Sequence, residues 1–338
     1  MNYTKRRKLL FLTFFNIFLL AILIACTGLI NRCDINASID RSNGLDNTAQ
    51  DVVQTENKQT GTAHDSIEEK PEKDTQDNSQ ADKEAKHVQS PSAQDTGSKY
   101  SFLSYYKPEN ASRYEEYGLE NPGLDEKRVV IDVNIGLDYP FYGLIKEIQN
   151  YNDVTVLVNK YNKLPDNYEP ELKQLEERYC VPGRGAQHLR KEAAEAFIKM
   201  HEDAKKEGLN ITAYGTYRSI PTQQRIWENA INSGRTQEDV DSLNSRGGHS
   251  EHHTGLAVDV VINDYSVLDT KEYQWYKDRA HEYGFIIRYP EGKENITGYK
   301  YEPWHLRYVS PEIAKEVYNS GLTYEEYYVT VIEPNMQK

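Results

Sequence analysis

Residues 250–259 read Ser-Glu-His-His-Thr-Gly-Leu-Ala-Val-Asp, and residues 302–305 read Glu-Pro-Trp-His. The first stretch is a polar loop entering an apolar strand expected over Leu256–Ile262. Along that strand Ala257, Asp259 and Val261 share one face by period-two alternation. Asp259 is therefore a carboxylate among apolar neighbours, where an unpaired charge is costly and a bound cation would neutralise it. His252 stands seven residues before Asp259, the wrong spacing for one helical face but a suitable one for a loop residue facing the start of a strand. Gly255 permits the backbone turn between them, and small Ala257 leaves room beside the carboxylate. The second stretch supplies His305 and, three residues earlier, Glu302. Pro303 disfavours helix at Glu302, so this segment leads into a strand over Leu306–Val309. His252, Asp259 and His305 make three N/O ligands. With Glu302 as a free carboxylate beside them, they have the make-up of a catalytic zinc site with one position open to water. His249 and His253 compete for the ligand role and rank below the other two, as supporting or surface residues.

Working outward, Leu189, Ala193, Phe197, Met200 and Ala204 recur at helical spacing and predict a helix from about Gln187 to Glu207, closed by Gly208. Ile211–Tyr214 reads as a strand leading to Arg218, followed by a helix from Pro221 to about Asn232. A helix is expected from about Thr270 to Tyr283, with Asp269 and Glu272 spaced as a capping box, then a strand at Phe285–Tyr289. A last helix opens at Ser310-Pro311 and stops near Gly321. Upstream, residues 113–120 suggest a short helix, while the β-branched runs 129–135 and 154–158 read as strands. The expected fold class is α+β: a small, mostly antiparallel sheet flanked by helices, with the zinc site at the sheet.

These residues carry a family resemblance. Ser-x-His-x-x-Gly-x-Ala-x-Asp at 250–259, Glu-Pro-Trp-His at 302–305, Tyr217-Arg218-Ser219 with Gln223, and Gly284–Pro290 resemble the VanY-type D-alanyl-D-alanine carboxypeptidases of bacterial cell walls. That family sits among zinc peptidases that include D-Ala-D-Ala dipeptidases and lysostaphin-like endopeptidases. The resemblance covers about 185–320 closely and the stretches near 134–138 and 154–165 loosely. It implies that His252, Asp259 and His305 hold one zinc and that Glu302 is the catalytic base. It implies further that Arg218 stabilises the carbonyl oxyanion, that Ser250 and Gln223 help hold the terminal carboxylate of a peptidoglycan stem peptide, and that Tyr289 and Trp304 line the pocket. His253 stands where many relatives have Gln, a position not expected to bind metal. The implied reaction is release of the C-terminal D-alanine. An L,D-carboxypeptidase acting on tetrapeptide stems, or a non-catalytic peptidoglycan-binding module, stays open, as does an adhesion or sensor protein in which the acidic linker is the functional part.

The remainder of the 338-residue chain sets the compartment. Lys-Arg-Arg-Lys at 5–8 precedes an uncharged apolar run over 9–30, long enough to span a bilayer, with the basic side expected in the cytoplasm. Leu23-Ile24-Ala25-Cys26 also resembles a lipoprotein cleavage box. Residues 1–34 are thus expected to be a membrane anchor or lipoprotein signal and 35–98 a disordered acidic linker. Residues 99–180 are expected to be an extension packed on the catalytic domain, which spans 181–338. The localisation implied is the outer face of the cell membrane, in the cell-wall zone. The three cysteines, Cys26, Cys33 and Cys180, make no disulfide framework. The first 40 residues carry five Lys/Arg against two Asp/Glu and residues 41–100 seven against twelve, which leaves −11 of the formal −13 on 101–338. So acidic a globular part argues against nucleic acid as a partner. No organic cofactor and no obligate protein partner is indicated.

Overall fold

The computed structural model describes residues 97–336; the expected anchor and all but the last two residues of the linker lie outside them. Helix α1 (Ala111–Glu120) packs on α2 (Glu126–Ile135) through Tyr100, Tyr114, Val129, Val130 and Val133. The second of these replaces the strand expected at 129–135. Its ends explain why: the Asp125 side chain accepts from the Arg128 amide at 2.8 Å, and Gly136 closes the helix at φ 107°. Two good caps and a buried face outweigh the weak helix preference of Val and Ile.

The strand expected at 154–158 is also absent. The segment is largely buried, but its carbonyls are taken by side chains: those of Val154 and Val156 accept from Arg307, and that of Thr155 accepts from the Tyr324 hydroxyl. Backbone groups satisfied in this way need no neighbouring strand. Two-residue ladders join Lys146–Glu147 to Asn162–Lys163 in parallel and Lys173–Gln174 to His188–Leu189 antiparallel. His188–Leu189 thus precedes α3 (Lys191–Lys206), which begins later than the sequence pattern indicates. Its Ala193, Phe197, Met200 and Ala204 are wholly buried.

The central sheet has four strands, β1 (Ala213–Gly215), β2 (Ala257–Val260), β3 (Phe285–Ile287) and β4 (His305–Tyr308). Their order is β1-β2-β4-β3, antiparallel throughout. The expected small antiparallel sheet is therefore present. One face, with Val258, Val260, Leu306 and Phe285, packs into the main core with α3 and with Val156, Val158, Leu164 and Leu175. Burying each such side chain contributes about 1.5–3 kcal/mol. The other face carries Asp259, His305 and Arg307. Helix α4 (Ile220–Asn232) follows β1, and α5 (Lys271–Arg279) precedes β3. Thr270, not Asp269, caps α5, its hydroxyl accepting from the Tyr273 amide. Helix α6 (Pro311–Ser320) ends at Gly321, and the chain then re-enters helix at α7 (Tyr324–Tyr327), continuing to Met336. Among the described residues no helix is long and apolar enough to cross a membrane.

Candidate metal centre

Strand pairing brings two of the three candidate ligands together. Asp259 in β2 is the register partner of His305 in β4, and Asp259 Oδ1 lies 3.2 Å from His305 Nδ1. His252 arrives from a short 3-10 turn, Glu251–Thr254, whose first residue is capped when Ser250 Oγ accepts from the His252 amide. Gly255 ends the turn at φ 67°, where a Cβ would come within 2.7 Å of Leu172, so the turn needs glycine there for both conformation and space. His252 Nε2 reaches to 3.5 Å from Asp259 Oδ2. One ligand atom from each of the three residues lies within 4.8 Å of the others.

The ring nitrogens are set for this arrangement. His252 Nδ1 donates to the Thr216 carbonyl at 2.7 Å, which leaves the Nε2 lone pair facing Asp259. Asp259 Oδ2 accepts from Asn263 Nδ2 at 3.1 Å, while Oδ1 is buried without a hydrogen bond. Burial disfavours the Asp259 carboxylate, yet His252 and His305 hold it far below the ordinary carboxylate range. Burial likewise opposes charge on His305, but Asp259, Glu251 and Glu302 push it up to about 9. The site thus calls for positive charge at its centre. Room exists for it: Gly215 pairs with Asp259, and a Cβ there would sit 3.3 Å from Oδ2. Two imidazole nitrogens and one carboxylate oxygen, with an unbonded buried oxygen among them, fit a divalent cation of the zinc type. Gly215, which the sequence pattern does not single out, leaves space beside the carboxylate.

All nine residues singled out in the sequence line one cleft of about 400 Å³. Glu302 is buried, with Oε2 3.7 Å from His305 Nδ1. Burial and Asp259 push its carboxyl up to about 8 against the opposing pull of His305 and Arg218. A carboxyl of raised proton affinity in a cleft is suited to exchange a proton with a ligand beside it. Arg218 is half-buried and has no carboxylate within ion-pair distance among the described residues; burial depresses its pKa, and Asp259 and Glu302 offset that at longer range. Its Nη1 donates to Gln223 Oε1 at 2.6 Å, and Gln223 Nε2 donates to the Ser245 carbonyl at 2.7 Å. Both ends of the Gln223 amide are thereby engaged by the protein, so its influence on a ligand runs through Arg218. Tyr289 packs against His305 with ring centroids 5.0 Å apart, and Trp304 meets Tyr265 edge-on.

The competing histidines are engaged elsewhere. His249 Nδ1 donates to the Asn159 carbonyl. His253 Nδ1 donates to the Arg218 carbonyl, and its Nε2 accepts from the Gly248 amide at 3.1 Å. Several supporting residues escaped the sequence reading. Asn263 steadies Asp259, helped by a turn that puts Val261 at φ 65°, a costly conformation for a β-branched residue. Glu251, Arg288 and Arg307 form a buried charged cluster behind His305. Part of the signal is in the sequence: Arg307 lies within a strand next to Leu306, and Arg288 directly follows the apolar strand Phe285–Ile287.

A cleft that gathers three metal-type ligands, a raised carboxyl and an unpaired arginine belongs to a hydrolase. The family model for VanY, D-alanyl-D-alanine carboxypeptidase, matches residues 186–311. The chain is 40% identical to the YodJ protein of Bacillus subtilis (strain 168) over 195 residues, 55% of this chain and 71% of that one. It is 31% identical to a D-alanyl-D-alanine carboxypeptidase of Enterococcus faecalis over 180 residues, 51% of this chain and 64% of that one. Among solved structures it is similar to the LdcB LD-carboxypeptidase, at 40% identity and a TM-score of 0.52, covering 55% of this chain and 91% of that one. The chain belongs to the VanY family of carboxypeptidases.

Proposed function

We propose that this protein is a zinc-dependent carboxypeptidase that removes the C-terminal D-alanine from peptidoglycan stem peptides. The observation that carries the reading is the convergence of His252, Asp259 and His305 within 4.8 Å of one another, on the wall of a cleft that also holds Glu302. A zinc ion bound there supplies Lewis acidity, which polarises a peptide carbonyl and brings a water molecule's pKa towards 7. Glu302 takes a proton from that water as its oxygen bonds to the carbonyl carbon, and delivers the proton to the departing D-alanine nitrogen as the C–N bond breaks. Arg218 meets the developing negative charge on the carbonyl oxygen. Ser250 offers its hydroxyl proton to the terminal carboxylate, Gln223 holds Arg218 in place, and Tyr289 and Trp304 wall the pocket.

The family description favours a D,D bond, the last one of a pentapeptide stem. A second reading, cleavage of an L,D bond in a tetrapeptide stem, is supported by the higher identity to the LdcB LD-carboxypeptidase, 40% against 31% for the Enterococcus faecalis enzyme. Incubating the zinc-loaded protein with each stem and weighing the products separates them. Loss of one alanine from the pentapeptide alone establishes the first, and loss from the tetrapeptide alone the second. No release from either overturns the carboxypeptidase reading. The reading places the enzyme outside the membrane, tethered through residues 1–34.

A further inference from the structure

We propose that Glu251 is a positioning residue that fixes which nitrogen of His305 carries the proton. The inference rests on the metal reading of the site. Glu251 is 1% exposed, one residue before His252. Its Oε1 accepts from Arg288 Nε at 2.8 Å and from Arg307 Nη1 at 2.7 Å. Its Oε2 accepts no hydrogen bond and lies 3.5 Å from His305 Nε2, which is equally buried and equally without a hydrogen bond. A carboxylate can only accept, and a neutral imidazole has one N–H to give. Asp259 Oδ1, 3.2 Å from Nδ1, is an equally unbonded carboxylate oxygen on the Nδ1 side, so it is a cation held between Nδ1 and Asp259 that would require the Nδ1 lone pair and leave the one N–H on Nε2, directed at Glu251. A carboxylate behind a metal-ligating imidazole sets its tautomer and orientation and raises its basicity.

The plainer role for Glu251 is to neutralise two buried arginines. The distribution of contacts argues for more. Arg288 is already held by Glu325 in a two-pronged pair, Nη1 to Oε2 at 2.9 Å and Nη2 to Oε1 at 2.6 Å. Both arginines meet Glu251 on a single oxygen, and the remaining oxygen is turned to the imidazole. The arginines are fixed in turn by parts of the chain outside the family match at 186–311. Arg307 Nη2 donates to the carbonyls of Val154 and Val156, and Asn159 Nδ2 donates to Glu325 in α7 at 3.3 Å.

Glu251→Gln keeps the shape and an oxygen for the arginines. It puts an amide N–H₂ opposite Nε2, which drives the imidazole proton to Nδ1, where it obstructs the ligand position. The test is zinc affinity of the full chain, measured with zinc chloride against a chromophoric chelator. Glu251→Gln is expected to weaken binding by about 10–100-fold with its far-UV circular dichroism unchanged, while Glu302→Gln binds as wild type does. A second measurement needs no Glu251 variant: in the zinc-free, ¹⁵N-histidine-labelled full chain, the signal lost in His305→Gln should report a proton on Nε2. Should Glu251→Gln fail to fold, this spectrum decides. Equal zinc affinity in a folded Glu251→Gln, or a bare Nε2 on His305, overturns the positioning role and leaves the metal site standing. A wild-type chain that binds no zinc overturns the metal reading, and this inference with it.

Discussion

Asp259 and His305 face each other across the β2–β4 ladder, and this register sets Oδ1 3.2 Å from Nδ1. A one-residue slip in either strand would send one of them to the core face. The pair is thus a property of the sheet, and His252 completes it from a capped turn. The purified protein should bind about one zinc per chain, as a three-ligand site implies. His252→Ala, Asp259→Ala and His305→Ala should each lose it. Metal analysis after desalting checks this, and full occupancy in all three variants would sink the assignment.

Glu302→Gln preserves the shape of the cleft but cannot take a proton. It should retain zinc and lose about 10²–10⁴-fold in kcat, the usual cost of removing a general base. Near-wild-type turnover in this variant would mean that another group receives the proton.

Arg218 has no anionic partner of its own in the cleft, which suits it to the charge that develops on the carbonyl oxygen, and Ser250 beside it offers a donor to the terminal carboxylate. A stem peptide with a free C-terminal carboxylate should be cut at least about 10²-fold more efficiently than its amide, because the amide leaves buried donors unpaired. Gln223→Ala removes the brace on Arg218 and should chiefly lower kcat, whereas Ser250→Ala should chiefly raise KM. The readout is kcat/KM for acid and amide forms of one peptide. Equal values, or efficient cutting within cross-linked bridges, would point to an endopeptidase.

His253 uses both ring nitrogens, donating to Arg218 and accepting from Gly248. Burial lowers its pKa to about 4, whereas the unfolded chain takes up the proton near 6.5. The unfolded state therefore binds more protons between these values. The stability His253 contributes is complete above pH 6.5 and is lost as pH falls towards 4, by about 1.4 kcal/mol per unit at most. A glutamine offers the same donor and acceptor and does not titrate. In zinc-free protein, His253→Gln should thus lose about 1–2 kcal/mol less than wild type between pH 7 and pH 5 by urea unfolding. Identical pH dependence in both would refute the account.

How much of this could be read without coordinates depends on how local each cause was. Asp259, His305 and Glu302 announced themselves as polar residues at fixed offsets in apolar surroundings, and the sheet then brought them together. Helix α2 is hidden in the run 129–135 because its β-branched residues favour a strand, and the caps that decide for helix, Asp125 and Gly136, lie outside that run. The segment 154–158 was misread for a different reason: its partners, Arg307 and Tyr324, lie more than 150 residues away in sequence. Gln223 was legible as a residue of the cleft but not as the brace of Arg218, because the contact with Ser245 is made by tertiary folding alone.

The charged cluster that joins α7 to Glu251 has a thermodynamic corollary. If docking of Glu325 onto Arg288 favours metal binding at His305, then metal binding must favour docking of Glu325 by the same free energy, since linkage between two equilibria is reciprocal. The helical segment that opens with Tyr324–Tyr327 and runs on to Met336 is too short to be stable by itself and is held by what it touches. Its amides should therefore exchange with solvent deuterium more slowly once zinc is added, although none of its residues belongs to the ligand set. On that linkage, a segment that holds no ligand would report whether the centre is occupied.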